Sequence, residues 1–588
     1  MMLQALIAYA DRRMIENPDF FDPDFRWESA AWRIEVGQDG KLNGVIPLKV
    51  KEGKMWQMKR VRRPYTDVNE ISVRSLEKAK SYFLCDTLER VLLYADRNVV
   101  STDPLILARN RFFREAIQDA VDAGAAPKLM AAVVKFLLSE FETDAARRKL
   151  SESEADPSEN VVFGVEGIDV IGHPDVVAHW RKQRHQKASS GAAQRSVCLV
   201  TGELADCVST ANKIKGIGGQ DTILISANEK AFCSFGLEKA ANSPISIQAE
   251  GLVKAALDDL IGKSKEQKLV FNNTYHLHWT RESIQEDPLD VLASADKNAV
   301  EALLKSIQQG QPPVAFEANA YYALSLSGNG ARIVVRDWLA STVPEVQRHV
   351  AEWFQDLAIV QPDGQGTKRD FKFGALLYGM VRADLEELSP ALPTQLLHGA
   401  LRGRSVPLPQ AALAAALRRQ QLDQENKLNP ARLAIIKACL LRSPNSPNNN
   451  SQTKDTVMTE CLNPESRDPA YLCGRLFAVF DRLQHLALGG VNAGVVERYY
   501  ASASTTPALV MGRLFRNAQF HLAKADGGVA TNVGKDFEAI TCALGDRFPA
   551  SLDLESQGRF ALGYYHQKAD YRRRTAERKE QAATETKN

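Results

Sequence analysis

Two histidines two residues apart, His276 and His278 in "YHLHW", are the clearest candidates for chemistry in this chain. On a strand both imidazoles would stand on one face, as metal ligands can. A third ligand at matching spacing is not evident, and the aromatic neighbours point to packing. His173 and His179, in "IGHPDVVAHW", come without a Cys, Ser or Glu partner at a recognisable spacing. GxSxG, HExxH and a DxD-type cluster are all absent. The eight cysteines (85, 198, 207, 233, 439, 461, 473 and 542) form no CxxC pair and no zinc spacing. They read as reduced, mostly buried thiols. The residues therefore point to a binding protein, with no catalytic group, metal or cofactor.

What it binds is suggested by "KIKGIGGQ", residues 213–220, between the apolar runs "SVCLV" and "TILIS". Gly216, Gly218 and Gly219 permit positive φ and let a ligand approach the backbone. Lys213 and Lys215 favour an anion, and Gln220 adds an amide. No Gly-Lys-Ser/Thr follows, so this is not a P-loop, and the third glycine of a dinucleotide fingerprint is missing. Positive charge clusters elsewhere too. Lys59, Arg60, Arg62 and Arg63 fill four of the five positions of "KRVRR"; "RKQRHQK" covers 181–187 and "HQKADYRRRTAERK" 566–579. Because the formal net charge is only +2, local stripes imply a docked, directional polyanion rather than indiscriminate attraction.

The elements that must carry these residues indicate an α+β protein: a mixed α/β N-terminal region with antiparallel strands, followed by an all-α C-terminal helical bundle. Strands are expected at 196–202, 222–227, 269–279, 321–327 and 331–338, the last two forming a hairpin about "SGNG". Phe113, Ile117, Ala120 and Val121 have the spacing of a buried helical face. Strand signals stop after about residue 375. Leu433, Ile436 and Leu440 mark one helical stripe, and Leu472, Leu476, Val479, Phe480 and Leu483 another. Thr506 and Pro507 read as the cap and first turn of a later helix. The expected divisions are a mixed α/β region 1–375, a helical connector 376–442, a flexible linker 443–457 and a helical bundle 458–588. No apolar stretch reaches the roughly 18–20 residues of a membrane span. "MMLQALIAYADRR" lacks a basic n-region, so a signal peptide is not expected and the cytoplasm is the expected location.

Several stretches resemble the large subunit of the type I-C CRISPR Cascade complex. They are "CLVTGELADCVSTANKIKGIGGQDTILISANEKAFCSFG", "YYALSLSGNGARIVVRDW", "LRRQQLDQENKLNPARLAIIKACLLR", the long helical segment from "YLCGRLFAVF" to "NAQFHLAK", and "FPASLDLESQGRFALGYYHQK". They cover most of the chain, in the order of that family, after its "MLQAL" opening. The resemblance implies a non-catalytic subunit that reads a protospacer-adjacent motif (PAM) in duplex DNA and promotes duplex opening and R-loop formation. Guide RNA supplies the remaining specificity. The implied partners are the guide-RNA-bound backbone and RNA-processing (5′-end) subunits, target duplex DNA, the displaced single strand and a recruited helicase-nuclease.

On that footing the glycine loop would enter a groove, with Gln220 meeting a base edge and Lys213 and Lys215 holding phosphates. Asn69 and Ser72 are further candidate readers, and Arg62 and Arg63 candidate backbone grips. Lys568, Arg572, Arg573 and Arg574 would contact the displaced strand, with Tyr564, Tyr565 and Tyr571 available for stacking. The family also implies a small subunit made by internal translation of the same gene, for which Met458 is the candidate start. Two other classes stay open: a metal-dependent nucleic-acid-processing enzyme built on His276 and His278, and a scaffold that never touches DNA.

Overall fold

The structure is a computed structural model. It describes the chain except residues 18–19, 23, 53–54, 67–70, 72, 96–98, 190–194, 209–210, 219, 228, 234, 263–267, 285–286, 309–318, 424–426, 445–457, 490–493, 526–527 and 586–588. Helix makes up 55% and strand 17% of the described residues, with antiparallel sheets in the N-terminal part and a helical C-terminal region, so the fold is α+β as expected. Contacts divide the chain into residues 1–259 with 330–333, and 260–329 with 334–588. The end of the strand signals puts the expected first division at 375.

Among the described residues of the first unit, ten strands fall in two sheets and a hairpin, apart from the glycine-rich pair 214–222. They are β1 (Phe25–Ala30), β2 (Trp32–Val36), β3 (Leu42–Pro47), β4 (Lys49–Glu52), β5 (Met55–Pro64), β6 (Asp86–Thr87), β7 (Asn160–Val165), β8 (Ile168–Asp169), β9 (Arg195–Val197) and β10 (Leu204–Asp206). One sheet runs β3–β2–β7–β6 with β8 beside β7, and only β2 and β7 pair in parallel. The helices Pro104–Asp122 and Pro127–Leu138 supply its core. Phe113, Ile117 and Ala120 are buried as expected, and Val121 is partly so. Phe163 of β7 sits between Phe113 and Phe136, with ring centroids 6.3 and 6.2 Å away. The second sheet, β1–β5–β4, is antiparallel throughout.

Two sequence-predicted strands shrink here. The run 196–202 is a strand only to Val197, because the chain turns at 199–202 to pair β9 with β10. The run 222–227 contributes only Thr222 to a strand, while Ile223 makes a single bridge to Arg332.

β11 (Ile214–Ile217) and β12 (Gln220–Thr222) form a separate pair in the first unit; the second holds β13 (Leu269–Phe271), β14 (Thr274–Thr280), β15 (Ala320–Asn329) and β16 (Arg332–Thr342) in one four-stranded sheet. The expected single strand 269–279 is a hairpin. Asn272 and Asn273 take φ of +45° and +59°, the left-handed pair of a two-residue turn, which asparagine tolerates. The hairpin about "SGNG" forms as expected. The helices Val343–Leu357, Leu392–Arg402, Gln410–Leu422 and Pro430–Leu441 share a core in which Leu433, Ile436 and Leu440 are buried. Asp356 lies in it at 1% exposure and accepts from Arg442 Nε at 2.7 Å and from Arg404 Nη2 at 2.7 Å.

Leu472, Leu476, Val479, Phe480 and Leu483, on the helix Pro469–Leu488, form a further core with the three helices that follow it. The last helix, Leu554–Glu585, belongs to both: Phe560 and Tyr564 enter one core, Ala561, Leu562, Tyr565 and Ala569 the other. The helix after Thr506 begins at Pro507, but the Thr506 hydroxyl donates back to Ser502 O at 3.2 Å instead of capping it. Most of the expected linker lies outside the described residues; Met458 is half-buried against the Leu433 core. Among the described residues no helix is long and apolar enough to cross a membrane.

Candidate nucleic-acid interface

The glycine-rich segment is a short antiparallel hairpin, β11 (Ile214–Ile217) and β12 (Gln220–Thr222), with Ile214 facing Thr222 and Ile217 facing Gln220. The register shifts between the two pairs, so Lys215 and Gly216 form a bulge, and Gly216 has φ +92°. Gly218 opens the two-residue turn with φ +70°, where a side chain would be strained. Gly219 lies outside the described residues, as do the side chains of Lys215 and Gln220. Lys213 is exposed at the foot of the hairpin.

The foot is braced. Ile214 and Ile217 are buried, and the Thr222 hydroxyl donates to Ile214 O at 3.2 Å. Asn212 gives its backbone N–H to Glu250 Oε1 at 2.7 Å and its side-chain amide to Oε2 at 2.5 Å. Burial raises the Glu250 carboxyl pKa, while the Asn212 donors and the charge of Arg26 pull it down. Arg26 is itself enclosed, stacked on Phe21 and Tyr65 at 5.1 and 4.4 Å.

The basic run is the strand β5, and strand geometry separates its arginines. Neighbours on a strand face opposite ways. Arg63 turns to Glu28 at 2.9 Å and stacks on Tyr82 at 3.6 Å, which leaves its side chain 14% exposed. Arg62 stands on the other face, directly opposite Trp27 of β1, with Arg60 beside it. Asn69 and Ser72 lie outside the described residues. The 181–187 cluster belongs to the helix Pro174–Ser189, where Arg181 pairs with Asp22 at 2.7 Å and Arg184 with Asp24 at 3.4 Å. Sequence reasoning missed Trp27, Asp22, Asn212 and Glu250. The alternation of "FRWESA" could have exposed the first, since it puts Trp27 on the face away from Arg26 and Glu28.

The histidine pair is not brought together on a shared ligand. His276 Nδ1 is hydrogen-bonded to Ser325 Oγ at 2.8 Å, and burial lowers its pKa to about 4. His278 turns instead to Asp287 at 2.9 Å and Asp290 at 3.5 Å. Among the described residues no group of three His, Cys, Asp or Glu could hold a metal ion.

At the C-terminal end, Lys568 is paired with Asp481, Arg573 with Asp570 and Glu577, and Arg574 with Asp536 and Asp570. Arg572 donates to Pro362 O at 3.1 Å. Lys568 and Arg572 line a cleft of about 460 Å³ with Lys427, Asp481 and Glu497. The expected stacking role of Tyr564, Tyr565 and Tyr571 is corrected: all three are buried. They lie where the last helix is enclosed by neighbours, and Tyr565 Oη donates to Val360 O at 2.7 Å.

A search among curated proteins returned no match. The family described as CRISPR-associated protein (Cas_Csd1) matches residues 6–572, nearly the whole chain. Its members are non-catalytic large subunits of CRISPR Cascade complexes and work with the other Cascade components. A match of this extent shows that the chain belongs to the Cas_Csd1 family of Cascade large subunits.

Proposed function

We propose that this large subunit serves a type I-C Cascade in the cytoplasm and reads the protospacer-adjacent motif in duplex DNA through the β11–β12 hairpin. The observation that carries this reading is the brace: the foot of the glycine hairpin is held by Asn212, Thr222 and Glu250. A narrow, stiff tip enters a groove with little bulk, and its N–H groups and Gln220 meet base edges. Lys213, Lys215 and Arg62 hold phosphates, Arg63 steadies the strand that carries Arg62, and Asn69 and Ser72 stand in the adjoining segment as further readers. Guide-RNA pairing by the neighbouring subunits then extends the opened duplex into an R-loop. Lys568, Arg572, Arg573 and Arg574 steady the displaced strand by charge, without the tyrosines, until a helicase-nuclease is recruited.

Internal initiation at Met458 supplies a small subunit spanning 458–588. That segment carries a core of its own around Phe477, Tyr500 and Phe560. It also carries Ala561, Leu562 and Tyr565, which the preceding helices cover in the full chain. Mutating the Met458 codon to a non-start removes the short co-purifying species if this start is used; its persistence means another start.

The test of motif reading is binding of the assembled complex to duplexes with intact and scrambled flanking motifs. Gly218→Val abolishes most discrimination while guide-RNA assembly is preserved. Full discrimination after Gly218→Val, Gln220→Ala and Asn69→Ala would instead support a scaffold without DNA contact.

A further inference from the structure

Trp27 lies in the middle of β1 and is 37% exposed. Arg62 is its directly opposite neighbour on β5, and Arg60, opposite Ser29, is the diagonal one. Both guanidiniums lie over the indole, at 5.7 and 5.5 Å from the ring centroid. Arg181 reaches the same place from its helix. Its Asp22 partner, at 2.7 Å, is also 3.7 Å from Arg62. Arg62 and Arg181 therefore share one carboxylate, whose side chain is 9% exposed, while theirs keep 36% and 47%, and Arg60 adds a third positive charge over the indole. The face is net positive, with an accessible aromatic ring in its middle.

We infer that this face binds single-stranded nucleic acid, with one unstacked base on Trp27 and the flanking phosphates on Arg60, Arg62 and Arg181. The charge selects a polyanion, and the indole selects its form. A duplex keeps its base faces stacked inside, so an exposed indole gains from a strand whose bases are free. Stacking on the ring also holds the two β5 guanidiniums in place before any ligand arrives. The inference rests on the reading that the subunit contacts nucleic acid, but not on the glycine hairpin.

The experiment uses the full chain and labelled single strands of DNA and of RNA, about 20 nucleotides long, titrated at several salt concentrations. Trp27→Ala weakens binding about tenfold or more at every salt concentration, with the salt slope unchanged, because a stacked base releases no counterion. Trp27→Phe restores most of the affinity. Arg60→Ala and Arg62→Ala each reduce the slope by about 0.7. Strands carrying abasic sites bind wild type and Trp27→Ala alike. Should Trp27→Ala fail to fold, intact against abasic strands on wild type and Trp27→Phe give the same comparison. The inference is overturned if wild type binds neither strand, if Trp27→Ala equals wild type, or if abasic strands bind wild type as tightly as intact ones. Motif discrimination in the assembled complex is measured separately, so loss of either result leaves the other standing.

Discussion

Glu250 holds Asn212 at two points, taking its backbone N–H on one carboxylate oxygen and its side-chain amide on the other. Both residues are buried, so removing the carboxylate leaves two donors without their acceptor. Glu250→Ala is expected to cost about 1–3 kcal/mol in denaturant unfolding. Motif-dependent duplex binding should fall further than that of a control variant of matched stability. Glu250→Gln keeps an acceptor for the backbone N–H and should recover part of both; equal losses in the two variants would deny the brace its role.

Arg62 and Arg63 separate under the same assay. Arg62→Ala weakens all duplex targets alike and lowers the salt slope by about 0.9, the signature of one lost phosphate contact. Arg63→Ala lowers thermal stability through its lost Glu28 and Tyr82 partners and leaves the slope unchanged. A slope change for Arg63→Ala would place it on DNA after all.

Acid stability reports the buried histidines. Burial lowers the His276 pKa to about 4 and that of His566 to about 3, against an unfolded value of 6.5. Both are neutral in the fold, so their contribution is fully present above pH 6.5. It is lost as pH falls from there through the folded values, by about 3 kcal/mol for His276. His276→Asn, which retains an acceptor for Ser325, should flatten the unfolding free energy between pH 6.5 and 4.

Asp356 is the shared anion of Arg442 and Arg404, and the Arg442 side chain is 1% exposed. Asp356→Ala strands that guanidinium in the core and is expected to cost about 3–5 kcal/mol, read as a lowered midpoint in thermal or denaturant unfolding.

Gly563 lies where the last helix crosses the helix Pro469–Leu488: a Cβ there would come within 2.1 Å of Tyr471 O. Gly563→Ala must push the helices apart, at about 1–3 kcal/mol. Both residues belong to 458–588, so the full chain and the isolated segment should lose similar amounts; a loss confined to the full chain would mean that the crossing is not kept in the isolated segment.

What the sequence determined by itself was the α+β class, the buried faces of the longer helices and the family. Each is written in local patterns or in order along the chain. The i, i+4, i+7 spacing of Phe113, Ile117 and Ala120 survives because a helix buries whichever stripe is apolar. "SGNG" survives as a turn because its backbone preference is local.

Tertiary structure decided the rest. β1, β4 and β5 are made by pairing with one another, so their charged, broken sequence carries little strand signal. Arg62 and Arg63 are neighbours in the chain and opposites in the sheet, because a strand turns successive side chains to different faces. The three C-terminal tyrosines read as a solvent-facing set, but the helix that carries them contributes to two cores and they are enclosed. Glu250 is remote from Asn212 in the chain, and only the fold makes its carboxylate the brace of the glycine hairpin.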